Sequence, residues 1–185
     1  MQQQQDGLQV AVHGHPNADT LLLWHPAGAT DRDGVAALAS RIATRSHVRV
    51  VVPTWTTDSA GRDLLRSVRY ARESAVHPPD QLSVVGYGAA GIAALGLALN
   101  QRRLGIGLAR VTCVDGAAGI ADPISGQALP EPTATEAQTA VDVVEPDTAT
   151  GAEWARATVE AWRAAGWAAT LVPRDQFTWR VNPSQ

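Results

Sequence analysis

The stretch Leu82-Ser83-Val84-Val85-Gly86-Tyr87-Gly88-Ala89-Ala90-Gly91 runs a short apolar segment straight into a glycine turn and then into an alanine-rich segment. The spacing predicts a buried strand over 82–85, a tight turn, and a helix over 88–103. Two motifs share these letters. Read as GxGxxG, Gly86, Gly88 and Gly91 let a dinucleotide pyrophosphate approach the helix amino terminus, where free N–H groups favour anions. NAD(P) or FAD would be the cofactor, with Asp115 on the ribose; without that reading no cofactor is expected. Asp115 stands 29 positions after Gly86, however, whereas the fingerprint places its acid about 20 residues on. Read as GxSxG, the same turn is a strand-to-helix elbow that lifts residue 88 out of the sheet.

Outward from the turn, the chain alternates. Leu8–His13 and Thr20–Trp24 are short apolar runs joined by Gly14-His15-Pro16-Asn17, which suggests a strand pair. Asp31 can cap a helix with Val35, Leu38, Ala39 and Ile42 on one face, and 48–52 reads as a strand stopped by Pro53. A helix opening at Asp58 or Ser59 buries Leu64, Val68, Ala71 and Ala75. Strands are expected over 111–115, 141–144 and 169–172, with a helix over 152–165. Residues 117–137, rich in Gly, Pro, Thr and Ala, read as one long loop over the carboxyl edge of the sheet. Strands that are continuously apolar between helices are the mark of a parallel sheet covered on both faces. The fold class is therefore α/β, a doubly wound, mainly parallel sheet of about seven strands, with the ligand site beyond the strands' carboxyl ends.

The chain has 185 residues, enough for one domain, taken as residues 8–182 behind a disordered glutamine-rich tail at 1–7. No apolar run approaches the ~20 residues of a bilayer span. With 15 arginines, no lysine and 18 acids, the net charge is −3, which argues against nucleic acid as a partner. A single cysteine and a start without a secretory pattern point to the cytoplasm. Cys113, in an apolar strand, should be an inert thiol.

The elbow resembles that of the α/β-hydrolases, and the resemblance extends over roughly residues 8–182. Leu21-Leu22-Leu23-Trp24-His25-Pro26-Ala27-Gly28 looks like the strand and HGGG-type oxyanion loop of the carboxylesterase branch. Val50-Val51-Val52-Pro53 is similar to the next strand, and 63–73 to the helix before the elbow. Val143-Val144-Glu145-Pro146-Asp147 resembles the strand end that carries the family's acid, and Asp175-Gln176-Phe177-Thr178-Trp179 the final histidine loop. The resemblance implies a minimal α/β-hydrolase without a separate lid, whose triad would follow the order Ser, acid, His.

Two of the three triad positions differ. Gly88 stands where the nucleophile should be and Gln176 where the histidine should be, while all five histidines (His13, His15, His25, His47, His77) precede the elbow. Glycine offers no nucleophile and glutamine takes up no proton near pH 7, so the acyl-enzyme route of the family is closed. Pro26 also has no N–H to give an oxyanion, although Ala27, Gly28 and Ala89 retain theirs.

The expected function is therefore binding of an apolar, carbonyl-bearing small molecule or peptide in the inherited pocket. If the chain is catalytic, the chemistry is proton transfer beside the carbonyl, an isomerisation, cyclisation or elimination. Three residues are candidates for that chemistry: His25 as base or donor, Tyr87 as donor and Asp147 as acid. Each has a plainer reading: a loop-holding histidine, packing filler and a relic cap. Ligand contacts are expected from Trp24, Trp55, Ala27, Gly28, Gly88, Ala89 and Asp115, the last equally readable as a cap of the Gly116 turn. Trp154, Trp162, Trp167 and Trp179 read as core or as the contact of a homodimer. His13 and His15 share one strand face but show no third ligand, so no metal is expected. Two other classes stay open: a structural or regulatory subunit with a vestigial pocket, and the dinucleotide-binding oxidoreductase.

Overall fold

The computed structural model describes residues 7–25, 32–78 and 81–180, and the backbone of 2–5. Twelve elements follow in chain order: β1 (Gln2–Gln5), β2 (Leu8–His13), β3 (Thr20–Trp24), α1 (Arg32–Ser46), β4 (Arg49–Pro53), α2 (Ala60–Glu73), β5 (Leu82–Tyr87), α3 (Ala89–Leu104), β6 (Leu108–Val114), β7 (Ala140–Val144), α4 (Ala149–Ala164) and β8 (Ala168–Val172). The strands form one sheet in the order β1-β2-β4-β3-β5-β6-β7-β8. Strands β1 and β2 run antiparallel to their neighbours, and the rest of the sheet is parallel. The expected α/β architecture, a mainly parallel sheet with helices on both faces, is what the chain adopts.

The core explains the order. β3 and β4, TLLLW and RVVVP, are buried at every position, as strands covered on both faces must be. On one face Leu22, Trp24, Val84, Val111 and Val143 pack against Leu64 of α2, Ile92 and Leu95 of α3, and Trp162 of α4. On the other, Leu21, Leu23, Val50 and Val85 meet Leu38 and Ile42 of α1, and Phe177 and Trp179 pack beside Tyr87 and Val114.

Three sequence expectations are corrected. β2 and β3 do not pair with each other: β4 lies between them, with Val10 opposite Pro53 and Thr20 opposite Arg49. The linker from Gly14 to Asp19 is too long for a two-residue hairpin and steps across β4 instead. The glutamine run is an edge strand, Gln2 opposite Ala11 and Gln5 opposite Leu8, because the backbone of β2 offers a free ladder that needs no apolar side chain to fill it.

The third correction concerns residues 117–137. They form no helix and make one isolated bridge, Ala121 with Ala128, as expected of a loop. They do not stay on the carboxyl edge, however. A Cβ built on Gly96 of α3 would lie 2.2 Å from Asp122, one on Gly61 of α2 would lie 2.8 Å from the Pro123 carbonyl, and Trp167 after α4 donates to the Thr133 carbonyl at 2.8 Å. The loop thus descends the helix layer between α2, α3 and α4, drawn there by Ile120, Ile124 and Leu129, which pack on the core.

Candidate functional site

Residue 88 sits at the junction of β5 and α3, at the centre of the sheet. Its φ of 63° and ψ of −126° form a turn that L side chains rarely adopt. The Gly88 N–H donates to the Val114 carbonyl of β6 at 2.7 Å, while its own carbonyl accepts from Gly91 and Ile92 at 3.0 and 3.3 Å. These bonds hold the elbow from both sides.

The neighbouring glycines serve a different purpose. A Cβ on Gly86 would lie 2.2 Å from the Ala90 carbonyl oxygen, and one on Gly91 would lie 2.8 Å from Cys113 Sγ. Both therefore permit the close approach of helix to strand, the steric role that the GxSxG pattern requires. Gly88 differs: nothing stands within 4 Å of the position its Cβ would take. Residue 88 thus faces open space from the turn.

Around the elbow, the phenol of Tyr87 is buried and donates to the Trp179 carbonyl. Burial raises its pKa, so the hydroxyl stays protonated and its hydrogen is committed to the carboxyl-terminal segment. Asp115, just past β6, has a positive φ of 55° and is held by Arg174 Nη1 at 3.1 Å and Arg180 Nη1 at 3.5 Å. Asp147 is exposed and lies 3.9 Å from Arg174 Nε, and Gln176 closes the short 3-10 turn that begins at Arg174. The structure thus draws Asp115, Asp147 and the segment carrying Gln176 around one guanidinium. Arg174 and Arg180 carry no motif, and nothing local in the sequence links them to an acid 59 or 65 positions away.

Other expected ligand contacts lie elsewhere. Trp24 is fully buried and donates from Nε1 to Ser67 Oγ at 2.9 Å; Trp55 is almost fully buried and donates to the His25 carbonyl at 3.0 Å. Both indoles are core residues with satisfied N–H groups. His25 lines a cavity of about 110 Å3 together with Ala11, His13, Arg32 and Val35, on the α1 side of the sheet. Ala27 and Gly28, the expected oxyanion donors, lie outside the described residues, as do Pro26 and Asp31. Ala89 opens α3, where the first N–H groups have no intrahelical acceptor.

A cavity of about 360 Å3 opens beside the elbow helix. Its walls include Ile92, one turn past Gly88, together with Ala117, Ile120, Leu129, Trp154 and Trp162. Trp154 stands in the first turns of α4, its ring over Gly116, where any Cβ would strike it at 2.6 Å. Trp162 is buried edge-on to Trp167, ring centroids 4.7 Å apart. Cys113 is buried beneath the elbow and its thiol is pushed up to about 12 by burial, so it stays un-ionised. Among the described residues, no three His, Cys, Asp or Glu side chains come together as a metal site, and no helix is long and apolar enough to cross a membrane.

No protein-family model matches the chain, and no curated protein matches it. Solved structures do. A mutant of the esterase E40 superposes with a TM-score of 0.72 at 15% identity, covering 94% of this chain and 73% of that one. An arylesterase gives 0.69 at 11% identity over the same shares, 94% and 73%. An esterase of Pyrobaculum calidifontis gives 0.70 at 12% identity, covering 90% of this chain and 71% of that one. At such identities the likeness speaks for architecture alone, and it agrees with the strand order, the central elbow and the glycine packing described above: the chain has the α/β-hydrolase fold.

Proposed function

We propose that this chain is an α/β-hydrolase-fold protein without a hydrolytic triad, which binds an apolar, carbonyl-bearing small molecule or peptide beside the elbow. The observation that carries the reading is Gly88: an elbow conformation is retained, its exit is open, and the residue has no attacking group. A turn that costs about 1–3 kcal/mol in an ordinary residue persists where the surrounding structure imposes it, and glycine relaxes it. The apolar wall of Ile92, Ile120, Leu129 and Trp154 suits an acyl chain or apolar side chain. The N–H groups at the start of α3, which have no intrahelical acceptor, suit its carbonyl oxygen. Where the ligand reacts, the chemistry is proton transfer next to that carbonyl. His25, the base or donor expected from the sequence, lines the separate cavity on the α1 side and would serve only a ligand that reaches across the elbow. No cofactor enters this reading.

A second reading is a regulatory subunit with a vestigial pocket. It is favoured by the Tyr87 hydroxyl, which is already committed to the Trp179 carbonyl and so is not offered to a ligand.

Thermal-shift titration separates these readings. A medium-chain acyl methyl ketone at a hundredfold excess over its Kd should stabilise the fold by about 2.7 kcal/mol, a rise of about 5–10 °C for a chain of this size. Ala157→Trp, which places an indole on the same cavity wall, should abolish the rise. No shift with acyl or peptide ligands establishes the vestigial reading instead. A shift with NAD(P) or FAD overturns both.

A further inference from the structure

At the other edge of the sheet, a second constellation has formed from residues distant in sequence. β2 runs antiparallel, so its last residue, His13, lies opposite Val50 near the start of β4, at the end of the parallel strands remote from Gly88. Ser40 of α1 meets it there: Ser40 Oγ and His13 Nδ1 are 3.1 Å apart. The pair borders a cavity of about 650 Å3, also lined by His15, Asn17, Thr44 and His47. Gly14 makes the turn at this corner, with φ of 94°, and a Cβ there would strike the Val48 carbonyl at 2.4 Å. The chain can therefore fold back tightly enough to bring β2 and the end of α1 around one hollow.

Two further features favour chemistry over chance contact. His13 Nε2 is buried with no hydrogen-bond partner among the described residues, and an unpaired polar atom in a native fold calls for a role. Burial also lowers the pKa of the His13 ring, so the imidazole is neutral at pH 7, the form in which Nδ1 can accept a proton. Asn17, Thr44 and His15 also line the hollow, and the His15 ring is oriented by its Nδ1, which accepts from the Asn17 N–H at 3.1 Å.

We propose that Ser40 and His13 form a second, acyl-transfer site in this cavity, Ser40 as nucleophile and His13 as base, acting on short-chain esters. Ser40 Oγ bonds to the ester carbonyl carbon as its proton passes to His13 Nδ1. The carbon–oxygen bond to the alcohol then breaks, and the leaving oxygen takes that proton. Water attacks the acyl-serine and gives a proton to His13, which returns it to Ser40 Oγ, so that ester and water become acid and alcohol. The geometry is a nucleophile and a base within hydrogen-bond reach, the first element of covalent catalysis on any fold. His13 is held by burial of its ring and, among the described residues, not by a third side chain. It does not rest on the elbow reading.

The test is reaction of the intact protein with a fluorophosphonate probe, read by mass spectrometry. Here the phosphorus–oxygen bond forms at serine, fluoride leaves, and His13 takes the proton. One label per chain, mapped to the peptide containing Ser40, is expected; Ser40→Ala should take none and His13→Gln should label at least tenfold more slowly. Circular dichroism and thermal melting of the variants establish that they are folded. Should His13→Gln fail to fold, the location of the label on the unaltered protein still decides. No label, a label on another serine, or a rate indifferent to His13→Gln overturns the assignment. Ester turnover that survives Ser40→Ala also overturns it and points back to the elbow, whose ligand binding is judged separately by thermal shift.

Discussion

Three glycines within six positions look interchangeable in the sequence and are not in the fold. Gly86 and Gly91 face backbone and sulfur at closer than van der Waals distance, whereas Gly88 faces nothing within 4 Å and has φ of 63°. Gly88→Ala should therefore cost only the backbone strain, about 1–3 kcal/mol. Gly86→Ala, whose methyl would lie 2.2 Å from the Ala90 oxygen, should cost more, because neither β5 nor α3 can retreat without losing its core contacts. Urea denaturation of the two variants checks the order; equal losses would contradict the separate roles. The strand, glycine turn and helix were legible in the letters, since these are matters of residue type and spacing. The partners of Asp115 were not, because Arg174 and Arg180 reach it across the whole β7–α4–β8 excursion. The Ser40–His13 contact was hidden for the same reason: it joins a strand and a helix that no motif connects.

Elements were easier to foresee than their neighbours. Apolar runs marked every parallel strand and the 3.6-residue stripe marked α1 and α2, because burial imposes those periods. Pairing was harder, since β4 enters between β2 and β3 through interactions of side chains far apart in sequence. The path of the 117–137 loop was invisible because it depends on Asp122 seating itself against α3 at Gly96. Asp122 is buried, and its Oδ1 accepts from the Ile124 N–H at 2.8 Å. Burial raises the pKa of this carboxyl, outweighing the hydrogen bonds that lower it. The protonated form is thus favoured in the folded state, and its stabilising contribution is present below the ordinary aspartate value and lost as pH rises through the raised one. Asp122→Asn keeps the Oδ1 acceptor and removes the charge. At pH 7 its Tm should exceed that of the unaltered chain, by up to about 2–4 °C for a gain of about 1 kcal/mol, and the advantage should fade as pH falls through the raised value and be gone below the ordinary aspartate value. A variant with lower Tm at pH 7 would mean that the charge is used there.

Across the whole molecule, the two candidate sites occupy opposite edges of one sheet, the elbow at the strands' carboxyl ends and the Ser40–His13 hollow at their amino ends. The 117–137 crossover has a different bearing on the molecule. β6 and β7 are joined in sequence only by it, yet they are laddered to each other from Arg110–Ala140 to Cys113–Val143 and buried beneath α3 and α4. Its tip, Ser125-Gly126-Gln127, is exposed. A protease site inserted there should be cut readily, and the two pieces should co-elute on gel filtration with a Tm within a few degrees of the intact chain. Dissociation on cutting would show that the covalent link, not the ladder, keeps β7 in register. A chain so arranged is divisible in sequence while remaining whole in space, and its halves are natural reporters for a split-protein assay: one half would carry both the elbow and the serine–histidine corner, the other Asp147 and Gln176.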